Sequence, residues 1–280
     1  MNTSLTTADA LQLHVRHWPA AAPARGSVLI VHGLGEHIGR YAHVAQHLNG
    51  LGWNVVGYDH RGHGRSGGAK GRLNGSDDFL RDLRLVIDAL RAAHPGPLVL
   101  LGHSLGGLIA ARYVAEGLAA SPAAWYRPVD ALVLSSPALD PGMNALQKLA
   151  LAITGPLAPN LAVNNGLQPG WISRDPAVVQ AYKTDPLVHD RITPKLVRFI
   201  LDGGALAQQR APQWKVPTLL MYAGSDRCVA PRGSAAFAAA APKQVVETRE
   251  FPNLFHEIFN EPEQGQVFAA LGAWLATRGH

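Results

Sequence analysis

Leu98-Val99-Leu100-Leu101-Gly102-His103-Ser104-Leu105-Gly106-Gly107 is the stretch whose reading decides the fold. Four consecutive apolar residues read as a strand covered on both faces. A G-x-S-x-G pentapeptide follows, and then an Ala-rich run reads as a helix to about residue 120. The pentapeptide alone is a weak signal, because small residues cluster by chance. Between a buried strand and a helix it has the context of a nucleophile elbow. There a serine occupies a strained turn that projects its Oγ outward. Gly102 and Gly106 remove side chains that would collide across so tight a turn. The helix that follows aims its N-terminus at the reacting oxygen, so the Leu105 N–H can donate to an oxyanion. The competing reading is an ordinary glycine-rich strand–helix turn, and the flanking pattern favours the elbow.

Working outward, residues 11–18 alternate apolar and polar, as a half-buried antiparallel strand does. Residues 27–31 form a second buried strand that runs into the loop His32-Gly33-Leu34-Gly35. Tyr41, Val44, Ala45 and Leu48 share one face of a helix over 40–51, and residues 53–58 are a strand. Ser76 reads as an N-cap, with Asp77 and Asp78 in the first turn of a helix that runs to His94. Another strand spans 129–134. The order of strand, helix, strand, helix, strand predicts an α/β protein with a mostly parallel sheet.

That rhythm fails after Ser136. Between residues 141 and 173 the only charged residue is Lys148. Helical pieces are expected at 176–182 and 194–209. The alternation then resumes with a strand at 217–222, a helix at 231–240, a strand at 245–251 and a helix at 261–278. The expected organisation is a core of residues 1–139, a cap insertion of residues 140–214, and a second core segment of residues 215–280. The cap would lie over the sheet's C-terminal edge, where α/β folds bind ligands.

Composition narrows the function classes. The chain has 280 residues, of which 47% are hydrophobic and 16% charged, enough to bury a substantial core. Cys228 is the only cysteine, which excludes an internal disulfide and every multi-cysteine metal site, and it fits a reducing compartment. The net charge is +5, but Arg and Lys are scattered, with no basic groove and no interleaved aromatics, so no nucleic-acid partner is expected. The N-terminus carries no secretory signature, and no apolar run is long enough to span a bilayer. A cytoplasmic location, with a possible peripheral role at membranes, is the expectation.

A serine nucleophile needs a base and an orienting acid, in the chain order serine, acid, histidine when it sits on an elbow of this kind. Three of the 13 histidines follow Ser104, namely His189, His256 and His280. His189 falls in the cap and His280 is the last residue. His256 lies between the last strand and the last helix, level with the sheet edge, and is the expected base. Asp226 follows the 217–222 strand and is the expected acid, with Asp140 held in reserve one strand earlier. The second oxyanion N–H is assigned to Leu34, whose flanking glycines let the backbone approach a carbonyl. His32 and His63 read as loop-bracing residues, and no metal ligand set is expected.

These motifs together resemble a known family. His32-Gly33-Leu34-Gly35-Glu36-His37-Ile38-Gly39-Arg40-Tyr41, Asp59-His60-Arg61-Gly62-His63-Gly64-Arg65-Ser66, the elbow, and Gly224-Ser225-Asp226 are similar to those of α/β-hydrolases of the monoacylglycerol lipase and lysophospholipase group. Ile172-Ser173-Arg174-Asp175 and Tyr182-Lys183-Thr184-Asp185-Pro186-Leu187 resemble that group's cap. The resemblance implies an eight-stranded, mostly parallel sheet with an inserted helical cap. It implies a cofactor-free serine hydrolase that cleaves a single acyl ester of a lipid-like substrate. Ser104, Asp226 and His256 would be catalytic, Leu34 and Leu105 would form the oxyanion hole, and Glu36, Arg40 and Tyr182 would bind substrate. One departure is Phe259, at a position where some members carry a second histidine, so another alcohol or a broader ester range stays open.

The near-neutral stretch 143–171 supports two readings at once. One is an acyl pocket and a membrane-docking surface. The other is a cap helix burying Leu146, Leu149, Ala150 and Ile153. Competing functions are a small-ester esterase, a peptidase of the same fold, an acyltransferase, and a non-catalytic pocket protein. Oligomeric state is not encoded in these motifs.

Overall fold

The structure is a computed structural model and describes residues 3–21 and 23–278. Its strands and helices alternate in chain order. The first half carries β1 (Ser4–Thr6), β2 (Gln12–Trp18), β3 (Ser27–Val31), α1 (Ala42–Gly50), β4 (Asn54–Tyr58), α2 (Asp78–Ala93), β5 (Leu98–His103), α3 (Leu105–Glu116) and β6 (Ala131–Ser135). Between β6 and β9 come α4 (Ala145–Leu157), β7 (Val163–Asn164), α5 (Pro176–Thr184), β8 (Arg191–Ile192) and α6 (Pro194–Arg210). The chain then returns to the sheet with β9 (Thr218–Ala223), α7 (Pro231–Ala240), β10 (Val246–Phe251) and α8 (Gln264–Ala276).

Eight strands form one sheet in the order β1-β2-β4-β3-β5-β6-β9-β10, and only β1 and β2 run antiparallel to their neighbours. This is the α/β-hydrolase fold. The central strands are apolar along their length because both faces are covered. Successive residues point to opposite faces. Leu29, Val31, Leu98, Leu100, Leu132 and Leu134 pack under α2, α3 and α6. Val28, Ile30, Val99, Leu101, Val133 and Met221 pack against α1 and α8. Truncating a fully buried leucine such as Leu100 to alanine costs about 2–5 kcal/mol.

The parallel registers pair Val31 with Gly102 and Gly102 with Leu134, which brings the ends of β3, β5 and β6 to one level. Strand order reverses between β3 and β5, so their C-terminal ends flank the crevice where α/β sheets place ligands.

Three expectations change. Ser76 does not cap α2, which starts at Asp78 with Asp77 in the cap position and no side-chain capping bond. The segment 4–6 adds a strand at the sheet edge, too short to show an alternating pattern. Leu146, Leu149 and Ile153 of α4 face solvent instead of the core. Helix α6, inside the insertion, buries Leu196, Phe199, Ile200 and Ala207 in the core cluster that includes α3. No helix among the described residues is long and apolar enough to cross a membrane.

Candidate active site

Ser104 stands between β5 and α3 with φ +53° and ψ −119°, a strained conformation for a residue with a Cβ. Three backbone bonds hold it there. Its N–H donates to the Ser135 carbonyl (3.0 Å), and its own carbonyl accepts from Leu108 (3.0 Å) and Ala138 (2.9 Å). A methyl group at Gly106 would run into the carbonyl oxygens of Val31 and His32, so glycine is required for α3 to approach β3 so closely.

The structure brings Ser104, His256 and Asp226 together. His256 Nε2 lies 2.8 Å from Ser104 Oγ, and its Nδ1 lies 2.7 Å from Asp226 Oδ2. The other Asp226 oxygen accepts the N–H groups of Cys228 (2.8 Å) and Val229 (3.0 Å), which fixes the carboxylate plane. Burial works against a charged His256 ring. The facing charge and hydrogen bond of Asp226, with Glu257 and Glu36 beyond, outweigh it and hold the imidazole above its ordinary value. The neighbouring His103 is pushed down to about 4 by burial and by the nearby His256, so it stays neutral.

Neither the reserve acid Asp140 nor His189 joins this hydrogen-bonded set. Asp140 accepts from Arg232 Nε (2.7 Å) and the Gly142 N–H (2.7 Å). His189 stands on the cap, its ring tilted against that of His63 with centroids 4.6 Å apart. His280 lies outside the described residues.

The loop after β3 closes over Ser104. The Cα of Gly33 comes so near that an added Cβ would stand 3.2 Å from the Ser104 Cβ. The Gly33 N–H donates to Glu36 Oε1 (2.6 Å), and from the cap the His189 N–H donates to the Gly35 carbonyl (2.8 Å). Leu34 and Ser104 line the same cavities, and Leu105 opens α3, where a first-turn N–H has no partner within the helix. His32 and His60 brace the loop from below. The His60 N–H donates to His32 Nε2 (3.0 Å), and His60 Nε2 contacts the His32 carbonyl (2.9 Å).

Glu36 is buried and lines the cavity, but its oxygens are engaged by the Gly33 N–H, by Tyr41 Oη (2.6 Å) and by Arg40 Nη1 (2.7 Å). Arg40 does not line the cavity, contrary to the expectation that it meets substrate. Its guanidinium forks onto both oxygens of Glu257 (2.6 and 2.7 Å) while also holding Glu36, and it stacks over the Tyr182 ring at 4.9 Å. Tyr182 does line the cavity. Glu257 escaped sequence reasoning. It follows His256 directly, but its partner lies 217 residues away and no local pattern marks the pair. Phe259 packs in the core with Phe268 and does not line either cavity.

Asp226, Cys228 and His256 are the one set of three ligand-type side chains among the described residues with ligand atoms within 4.8 Å of one another. Asp226 and His256 already face each other through a hydrogen bond. Burial, with the adjacent Asp226 charge, pushes the Cys228 thiol well up, so it stays protonated.

Two cavities meet at Ser104. The more polar one, of about 330 Å³, sets Glu36, Gln168, Tyr182, Asp185 and Glu257 among apolar residues such as Leu34, Ile172 and Val188. The other, of about 600 Å³, runs under α4 and includes Met143, Leu151, Leu167, Ile200 and Val229. Arranged this way, a hydroxyl, an imidazole, a buried carboxylate and two nearby amides are what acyl transfer through a serine needs.

Residues 22–263 match the family described as serine aminopeptidase, S33. A monoacylglycerol lipase of Mycolicibacterium smegmatis is 36% identical, over 93% of this chain and 91% of that protein. A phospholipase of Bacillus subtilis is 31% identical, over 92% of this chain and 97% of that protein. The crystal structure of a monoacylglycerol lipase from Paleococcus ferrophilus superposes with a TM-score of 0.83 at 34% identity, covering 95% of this chain and 98% of that one. With the family match spanning most of its length and relatives above 30% identity along nearly all of it, the chain belongs to this serine-hydrolase family of the α/β-hydrolase fold, in the group of the monoacylglycerol lipases.

Proposed function

We propose that the protein is a serine carboxylic-ester hydrolase acting on monoacyl lipids, of the monoacylglycerol lipase or lysophospholipase type. The observation that carries this reading is the junction at Ser104 of a mainly apolar cavity and a more polar one that carries carboxylates. An amphiphilic ester spans them with its carbonyl at the serine, its acyl chain under α4 and its alcohol beside Tyr182 and Glu36. Each buried methylene contributes about 0.8 kcal/mol until the pocket is full.

In this mechanism His256 accepts the Ser104 proton as Oγ attacks the ester carbonyl. Asp226 holds the tautomer with Nδ1–H and stabilises the imidazolium. The N–H groups of Leu34 and Leu105 receive the oxyanion. His256 then protonates the leaving alcohol, and water repeats the sequence on the acyl-enzyme. Glu36 and Tyr182 shape the alcohol side, and Arg40 acts behind them as their anchor. No cofactor takes part in any step.

The division into a core of 1–139 and 215–280 with a cap of 140–214 belongs to this reading. The insertion supplies walls of both cavities, and α6 roots it in the core. Peripheral membrane contact through the cap is a further part of it. Leu146, Leu149, Ile153 and Leu157 lie along one face of α4 with 57–82% exposure, a patch suited to a lipid surface. The single cysteine fits a cytoplasmic enzyme that touches membranes from that side.

The test is a fluorophosphonate probe followed by a substrate panel. Ser104 should be the labelled residue, and Ser104→Ala should lose labelling and about 10⁴-fold or more of esterase activity. Mono-, di- and triacylglycerols and p-nitrophenyl esters of rising length then rank the substrates. Triacylglycerol turned over faster than monoacylglycerol, or a flat chain-length profile, would refute the two-cavity reading.

A further inference from the structure

Relatives named monoacylglycerol lipase and phospholipase differ in the alcohol their names imply, and the charge on the polar cavity bears on that choice. Four carboxylates line this cavity, namely Glu36, Asp185, Asp190 and Glu257, against one ammonium, Lys183. Of the three histidine rings that line it, two carry no compensating charge. Burial holds His103 and His189 down to about 4.

The guanidinium behind this wall is already engaged. Arg40 places Nη1 on both Glu36 and Glu257 and Nη2 on Glu257, so the innermost group of three bears one net negative charge and offers no free guanidinium. Asp190 is paired with Arg191 (3.1 Å), and Asp185 faces His37 Nε2 (2.8 Å). Lys183 is exposed on the cap. Near Ser104 the wall therefore presents carboxylate oxygens, amides and the Tyr182 hydroxyl, which suit hydroxyl or ammonium donors. A phosphate would face four carboxylates with one lining ammonium, Lys183, and no free guanidinium to offset them.

Building on the ester-hydrolase reading, we infer that the polar cavity is a charge filter on the leaving alcohol: it accepts neutral or cationic alcohols and rejects phosphate-bearing ones. The Arg40–Glu257 pair sets the filter. Without Glu257, the Arg40 charge would balance Glu36 alone and the innermost group would become neutral. Glu257 is thus a specificity-determining residue reached through the loop that also carries His256.

The test uses three octanoyl esters, of glycerol, of choline and of glycerol phosphate, each below its aggregation concentration. With a common acyl chain, differences in kcat/KM report the alcohol. The glycerol and choline esters should agree within about tenfold, and the phosphate ester should be slower by about thirtyfold or more, equivalent to about 2 kcal/mol. In Glu257→Gln the glycerol-to-phosphate ratio should fall by about fivefold or more, whereas mere structural damage would slow all three esters alike. A wild-type ratio below about threefold overturns the filter, and a ratio unmoved in Glu257→Gln overturns its assignment to that carboxylate. Failure of the ester reading itself looks different, as no turnover of octanoylglycerol and no fluorophosphonate labelling of Ser104.

Discussion

Replacing Asp226 with asparagine isolates the electrostatic half of the proposed triad without changing its shape. In the native site one Asp226 oxygen accepts two backbone N–H groups, from Cys228 and Val229, while the other faces His256 Nδ1 at 2.7 Å. An asparagine has one carbonyl oxygen, and the two backbone donors claim it. Its NH₂ group must then face Nδ1, so Nδ1 becomes an acceptor and the ring proton moves to Nε2. Nε2 stands 2.8 Å from Ser104 Oγ and can no longer take the serine proton. The expected loss in kcat is about 10⁴-fold, or about 5.5 kcal/mol of transition-state stabilisation. Stopped assays on a soluble p-nitrophenyl ester measure it, with circular dichroism to show that the variant is folded. Asp140→Asn is the control. Its carboxylate pairs with Arg232, whose side chain is 70% exposed, so kcat should stay within about twofold. An Asp226→Asn enzyme with more than about a tenth of wild-type kcat, or a larger loss in Asp140→Asn, would refute the assignment of the acid.

The pH dependence follows from the same contacts. His256 must be neutral to act as base, and Asp226 holds its pKa above 6.5. Activity should therefore fall on the acid side with a midpoint above that value; a kcat/KM profile with its midpoint below 6.5 would contradict this. Stability should fall at acid pH for a different reason. His32, His60 and His63 are buried with depressed pKa values, and His103 and His189 are held at about 4. Above 6.5 these rings are neutral folded or unfolded. As pH drops from 6.5 towards 4 the unfolded chain takes up protons that the folded chain refuses, at up to about 1.4 kcal/mol per pH unit for each ring. Thermal unfolding between pH 7 and 4.5 should show a steep drop in Tm. Arg61→Ala should destabilise by about 3–5 kcal/mol in urea denaturation, because it strands the buried Asp82 carboxylate that Arg61 meets at 2.7 and 2.8 Å. Leu149→Asp with Leu157→Asp should weaken flotation with lipid vesicles while leaving turnover of a soluble ester within about twofold.

Much of the candidate site's geometry was legible because its demands are local. An elbow needs a buried strand, a turn without Cβ atoms at two positions and a helix start, and ten consecutive residues around Ser104 carry all of it. That Asp226 and His256 would meet at Ser104 was legible from chain order, because each follows a strand that ends at the same sheet edge. The bracing histidines were readable in kind, though their partners were not.

The rest depends on distance along the chain. Ser104 and His256 are 152 residues apart, and Arg40 and Glu257 are 217 apart. Neither residue of the second pair has a neighbour that marks it, so only the folded chain shows that Arg40 is used up by carboxylates. Helix α4 is a different case. Apolar residues surround it on more than one side, so its helical period is satisfied whether Leu149 or Leu151 faces inward. Only the packing reveals that Leu151 lines a cavity while Leu149 meets solvent. Sequence patterns encode what each residue tolerates from its immediate neighbours. Which apolar face is covered, and which charge finds a distant partner, is set by how the cap settles on the sheet, where burial and pairing are decided for many segments together.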